Sequence, residues 1–312
     1  MNTLVVALGG NALQRSGMPA DADSQLVVVR KTAAQLLHIL KTGRPMAVVH
    51  GNGPQVGRIV LQNEAAAAVT PPMPFDVCGA MSQGMIGYHI QQALGELMAA
   101  EGLPGLPATL VTQVRVLADD PAFSNPTKPI GPFYSEREAQ ALKARTGFAY
   151  REDAGRGWRR VVASPLPVEI VELAQVKALL AAGFVPVTAG GGGIPVVREN
   201  GALRGVAAVI DKDLAAWRLA EGLDADVLLI LTEVEHACLD YGRPGERALR
   251  RVSAKELRGY LAQGHFAAGS MGPKVEAALR FAEGGKGRMA VITSLEMAGP
   301  GAAGQAGTVV TG

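Results

Sequence analysis

Six short apolar runs, each followed by a longer segment of helical period, constrain this chain more than any other feature. Residues 4–8, 46–50, 109–114, 184–188, 227–231 and 289–293 are rich in β-branched side chains and nearly continuous in hydrophobicity, which predicts strands buried on both faces. Between them, residues 24–40, 54–68, 81–100, 169–182, 214–221, 254–263 and 274–283 carry the spacing of helices. The alternation predicts an α/β fold, a three-layer α/β/α sandwich around a large, mainly parallel sheet. Ligands of such sheets sit at the carboxyl ends of the strands, where loops meet helix N-termini.

One stretch breaks the rhythm. Residues 119–167 hold Pro121, Pro126, Pro129, Pro132, Pro165 and Pro167 and little apolar period, so a small subdomain of about residues 119–165 is expected to protrude from a single domain spanning 1–312. It reads either as a functional lid or as a passive surface insertion. With 48% hydrophobic and 19% charged residues the chain can fill a large core. A net charge of +2, with no basic block denser than Arg156, Arg159 and Arg160, makes nucleic acid an unexpected partner. Cys78 and Cys238 stand far apart without metal-ligand spacing, which fits a reducing compartment. The run at 4–8 lacks the basic flank of a signal peptide and no membrane-length apolar stretch follows, so the expected location is the cytoplasm.

Three glycine motifs follow predicted strands. Gly9-Gly10-Asn11 is either a tight turn or a cradle of backbone donors for an anion. His50-Gly51-Asn52-Gly53-Pro54-Gln55 is either a helix-opening turn or an anion site at the helix end, and Val56 stands where a dinucleotide fingerprint needs its third glycine. Gly190-Gly191-Gly192-Gly193 is either a linker or a place of close ligand approach.

Positive charge comes from 21 arginines and only 9 lysines, so lysines in unusual company are informative. Lys128 lies between prolines, Lys212 lies between Asp211 and Asp213, and Lys274 follows Gly272-Pro273 at a helix start, where a cation opposes the helix dipole unless an anion is near. Each could equally be a solvated surface lysine. The sequence has no P-loop, zincin helix or nucleophile elbow. Glycine turns, lysines and aspartates suit phosphoryl transfer, where catalysis is positioning and charge neutralisation.

Assembled, these residues resemble the carbamate kinases, a branch of the amino acid kinase superfamily. The likeness runs nearly end to end: Val5 to Ala12, His50 to Gly57, Asn125 to Pro132, Glu152 to Arg159, Gly190 to Pro195, Val209 to Asp213, Leu231-Thr232, Gly264 to Phe266, Gly269 to Met271 with Pro273-Lys274, and Gly307 to Val310. Other members of the superfamily carry a lysine in the first strand where this chain has Ala7. The resemblance implies that Lys128, delivered by the protruding lid, supplies the missing charge.

It further implies reversible transfer of phosphate from ATP to carbamate, giving ADP and carbamoyl phosphate, with magnesium, in a homodimer. In cells the reaction would make ATP during arginine or ureide breakdown. Gly9, Gly10, Asn11, Gly51, Asn52, Gly53, Gly191 and Gly192 would hold carbamate and the transferring phosphate. Lys212 and Lys274 would face the nucleotide phosphates, and Asp213, or alternatively Asp211, would orient the ammonium groups. Thr232, Val234, Tyr241 and Met271, with Lys274, would bind the nucleotide, and no residue is assigned as a metal ligand. Where relatives often read Thr-x-Val-Asp, this chain has Glu235, a departure that bears on nucleotide preference. Arg156 reads as an anion contact from the lid or as a solvated arginine. Two other readings stand beside this one: an acyl-phosphate kinase of the same superfamily for an amino acid or a phosphorylated substrate, which would need a side-chain pocket, and a nucleotide sensor without chemistry.

Overall fold

The computed structural model describes residues 3–14, 17–153 and 155–312. Eight strands form one sheet, in the order Arg251–Ser253, Thr308–Thr311, Met289–Ser294, Val227–Thr232, Leu4–Leu8, Met46–His50, Val185–Val187, Pro107–Thr109. All neighbours are parallel except Met289–Ser294 with Thr308–Thr311. Leu4, Val6 and Leu8 join one buried cluster with Leu36, Ile90 and Leu94. Val5 and Ala7 join another with Leu219, Val275 and Leu279. The first strand thus alternates between two cores, which is why its sequence is apolar throughout. Helices Ala22–Leu40 and Phe75–Ala100 cover one face, and Lys212–Gly222 and Met271–Glu283 cover the other.

The expected strand at 109–114 divides in two. Pro107–Thr109 closes the edge of the main sheet, while Gln113–Arg115 enters a second, four-stranded sheet with Ile194–Glu199, Ala202–Gly205 and Glu169–Ile170. Buried Thr112 marks the crossing: its hydroxyl lies 2.7 Å from both Leu110 O and Thr188 Oγ1, so the chain satisfies its polar atoms while changing sheets. The segment expected as a helix at 169–182 begins as the strand Glu169–Ile170 and becomes helical at Leu173–Ala181. Two strands of the main sheet, Arg251–Ser253 and Thr308–Thr311, were not among the expected six because neither exceeds four residues.

The proline-rich stretch contains a separate antiparallel sheet of Lys128–Tyr134, Trp158–Val162 and Tyr150–Glu152. Helix Glu136–Thr146 lies between its strands, opened by a capping box of Ser135 and Glu138 and closed by Gly147 in the left-handed region. Ala154, within the Glu152 to Arg159 motif, lies outside the described residues. Among the described residues no helix is long and apolar enough to cross a membrane.

Candidate functional site

The first strand, Leu4–Leu8, ends in a short turn at Gly9 to Ala12. Gly9 donates its N–H to Leu231 O at 3.0 Å, and a Cβ there would lie 2.8 Å from that oxygen, so only glycine fits. The N–H groups of Ala12, Leu13 and Gln14 point back to Gly9 O and Gly10 O. Those of Gly10 and Asn11, both exposed, have no partner among the described residues, so this turn presents two free donors beside the sheet's carboxyl edge.

The second turn has a different construction. Helix Gly53–Ala65 starts without a side-chain cap, with Pro54 in its first turn, and so offers uncapped N–H groups to an anion. Asn52 does not join them by its side chain. Its amide is buried and donates to Ser82 Oγ at 2.8 Å. Gly51 lies against the stem of Lys212, where a Cβ would stand 3.4 Å from Lys212 Cδ, an ordinary contact distance.

The four-glycine run is filled by protein. A Cβ on Gly190 would stand 2.4 Å from His50 Nε2, one on Gly191 2.1 Å from Asn52 Nδ2, and one on Gly192 2.1 Å from Ile210 O. All four glycines are buried, and the N–H of Gly192 is engaged with Ala189 O at 3.0 Å. Against Gly191 and Gly192, expected from sequence at the phosphate, lie the His50 to Asn52 turn and the chain leading into Asp211, and the Gly192 N–H is already engaged.

The three lysines converge, held by two aspartates. Asp211 caps helix Lys212–Gly222, its Oδ1 accepting the Asp213 N–H at 2.9 Å, while its Oδ2 accepts from Lys128 Nζ at 2.7 Å. Asp213, almost wholly buried, accepts from Lys212 Nζ at 2.5 Å on Oδ1 and from Lys274 Nζ at 3.0 Å on Oδ2. Asp213 is thus the anion that offsets Lys274 near the N-terminus of helix Met271–Glu283. Burial pushes the Lys212 ammonium below its ordinary range, Asp213 opposes this, and Lys274 adds to it. Burial alone would raise the Asp211 carboxyl, but the charge and hydrogen bond of Lys128 overcome it and hold it at about 2. The two carboxylates divide the work that sequence reasoning gave to one.

A cavity of about 630 Å³ opens beside this cluster. Gly9, Gly10, Asn11, Lys212 and Lys274 line it, together with Thr232, Val234, Tyr241 and Met271. Every residue named from sequence for the nucleotide therefore borders one space. Glu233, His236, Cys238, Leu295 and Glu296 also line it. Leu295 and Glu296 follow the strand Met289–Ser294, and only the rule that ligands gather at strand carboxyl ends could have singled them out. Glu235 faces away, into a separate depression with Arg250 and Arg251. Lys128 does not border the cavity and meets the cluster from the protruding sheet through Asp211. Arg156 stays on that sheet, pairing with Asp153 at 3.3 Å with its guanidinium 5.0 Å from the centre of the Phe133 ring.

Free donors at a glycine turn, a lysine-aspartate cluster and an adjoining cavity of nucleotide size define a phosphoryl-transfer site on an open α/β sheet. Residues 2–293 match the model of the amino acid kinase family. The carbamate kinase of Pyrococcus horikoshii is 50% identical over 310 residues, covering 99% of this chain and 98% of that one. A carbamate kinase-like protein of Escherichia coli, YqeA, is 51% identical over 98% of each chain. The solved carbamate kinase from Giardia lamblia bound to AMP-PNP superposes with a TM-score of 0.92 at 48% identity, covering 99% of this chain and 98% of that one. The chain belongs to the amino acid kinase family, and its relatives of about half identity are carbamate kinases.

Proposed function

We propose that this chain is an ATP-dependent carbamate kinase, catalysing reversible phosphoryl transfer between ATP and carbamate to give ADP and carbamoyl phosphate. The observation that carries the reading is the set of three lysines gathered by Asp211 and Asp213, two of which, Lys212 and Lys274, line the cavity. Carbamate is already an anion, so the nucleophile needs no general base, and the difficulty is its repulsion by the γ-phosphate. Three ammonium groups against two carboxylates leave one positive charge in excess for the incoming anions. Lys212 and Lys274 meet the nucleotide phosphates, Lys128 neutralises the carbamate side, and the N–H groups of Gly10, Asn11 and Gly53 grip the transferring phosphate. Among the described residues no group of three histidine, cysteine or acidic side chains could cage a metal. Magnesium would therefore be held chiefly by the nucleotide's phosphates.

The protruding sheet acts as a lid because it carries Lys128 to the cluster. A second copy of the chain would cover the stripe of Val77, Met81 and Tyr88, which are 37%, 46% and 60% exposed on helix Phe75–Ala100, beside the open sheet edge at Pro107–Thr109. The unpaired thiols Cys78 and Cys238 suit a cytoplasmic setting. The test is ATP formation from ADP with carbamoyl phosphate, acetyl phosphate and phosphorylated amino acids offered in turn. Strong preference for carbamoyl phosphate supports the reading, and equal or better use of another acyl phosphate overturns it.

A further inference from the structure

We propose that Asp211 is a positioning residue for phosphoryl transfer, a latch whose two oxygens join the lysine of the protruding sheet to the helix that carries Lys212 and Asp213. Its geometry is unusual for a helix cap. Oδ1 performs the capping, taking the Asp213 N–H at 2.9 Å, which fixes the first turn on which Asp213 sits. Oδ2 is left free by that bond, and Lys128 Nζ occupies it at 2.7 Å. A single carboxylate therefore sets the distance between a strand of the three-stranded sheet and a helix of the main body. Asp211 is nearly buried, with its side chain 11% exposed, while that of Lys128 is 31% exposed. The carboxylate is thus the fixed partner and the ammonium the one being placed.

An ammonium has three donors. Asp211 takes one, and no other side chain among the described residues bonds to Lys128 Nζ. Two donors remain for the oxygens of an anionic substrate, so the latch aims Lys128 without exhausting it. The backbone around this lysine is already anchored: Lys128 pairs with Val162, Val209 donates its N–H to Ala163 O at 2.9 Å, and Gly131 rests against Gly57 of helix Gly53–Ala65. What Asp211 adds is the placement of the ammonium at the end of the side chain.

This inference rests on the proposed reaction, so the wild-type chain must first make ATP from carbamoyl phosphate and ADP; failure there would count against the function rather than the latch. The test is a double-mutant cycle of Asp211→Asn and Lys128→Ala, read in kcat and KM. Asparagine keeps the capping acceptor and removes the charge, so the melting temperature should stay close to wild type. Losing one charge-assisted bond should lower kcat/KM for carbamoyl phosphate by about 10-fold to 100-fold, with KM for ADP unchanged. In the Lys128→Ala background the same change should have almost no effect, because the group it positions is gone. Additive losses in the double variant would overturn the proposal, as would a rise in activity, which would make Asp211 a competitor that withholds Lys128. Should Asp211→Asn not fold, Asp211→Ser, which also caps, carries the same predictions.

Discussion

In the proposed reaction, Lys128 is the residue on which the site's charge balance turns. The first strand carries Ala7 rather than a cation, and Ala7 is fully buried in a cluster with Ala47 and Ile230. Lys128→Ala should lower kcat by about 10²-fold to 10³-fold while the fold persists, because the removed side chain is partly exposed. Steady-state kinetics beside a thermal melt checks this, and near-normal turnover would refute the assignment. His50 makes a separate prediction about stability. Burial pushes its pKa from 6.5 to about 4 despite the hydrogen bond to Gly51 O, so the folded chain holds it neutral. The unfolded chain binds a proton near pH 6.5 that the folded chain refuses until about 4. Stability should therefore be complete above the upper value and fall as pH drops between the two, by about 3 kcal/mol in total. Denaturant midpoints for wild type and His50→Asn between pH 6.5 and 5 should diverge in slope by about one proton; parallel slopes would contradict the account.

At the scale of elements, long helices and fully buried strands were legible because their periodicity records which faces are covered. The strands Leu4–Leu8 and Met46–His50 match the reading at both ends. Helix Phe75–Ala100 begins six residues before the expected position 81, since Phe75, Asp76 and Val77 carry no strong apolar period. The division at Thr112 was not legible, because a chain crossing between sheets remains apolar on both sides of the crossing. Helix Gly53–Ala65 and strand Lys128–Tyr134 meet backbone to backbone at Gly57 and Gly131. Gly57→Ala would favour the helix by up to about 1 kcal/mol through propensity alone. Its Cβ would meet the backbone of Gly131 and push the strand bearing Lys128 away, so activity should fall by about 10-fold to 10²-fold and the melting temperature should drop as well. Kinetics and melting curves on one sample test this, and unchanged kcat/KM would show that the contact does not place Lys128.

At the scale of the whole molecule, the sequence exposed the layered sheet and the gathering of glycine turns at its carboxyl edge. It did not expose how the carboxylates share the lysines. Asp211 and Asp213 lie two residues apart in sequence, and only the helix start between them turns one toward the protruding sheet and the other toward Lys212 and Lys274. Nor did it show that the glycines from 190 to 193 serve packing against His50, Asn52 and Ile210, since a glycine run reads the same whether a ligand or a neighbouring backbone approaches it. Lys212 and Lys274 of the lysine cluster border the cavity, and Lys128 joins the cluster from the three-stranded sheet through Asp211. The most direct measurement is the rate of ATP formation when purified chain is mixed with ADP, magnesium and carbamoyl phosphate. The account predicts saturable ATP synthesis that collapses in Lys128→Ala. A folded, nucleotide-binding chain that makes no ATP from carbamoyl phosphate would contradict it.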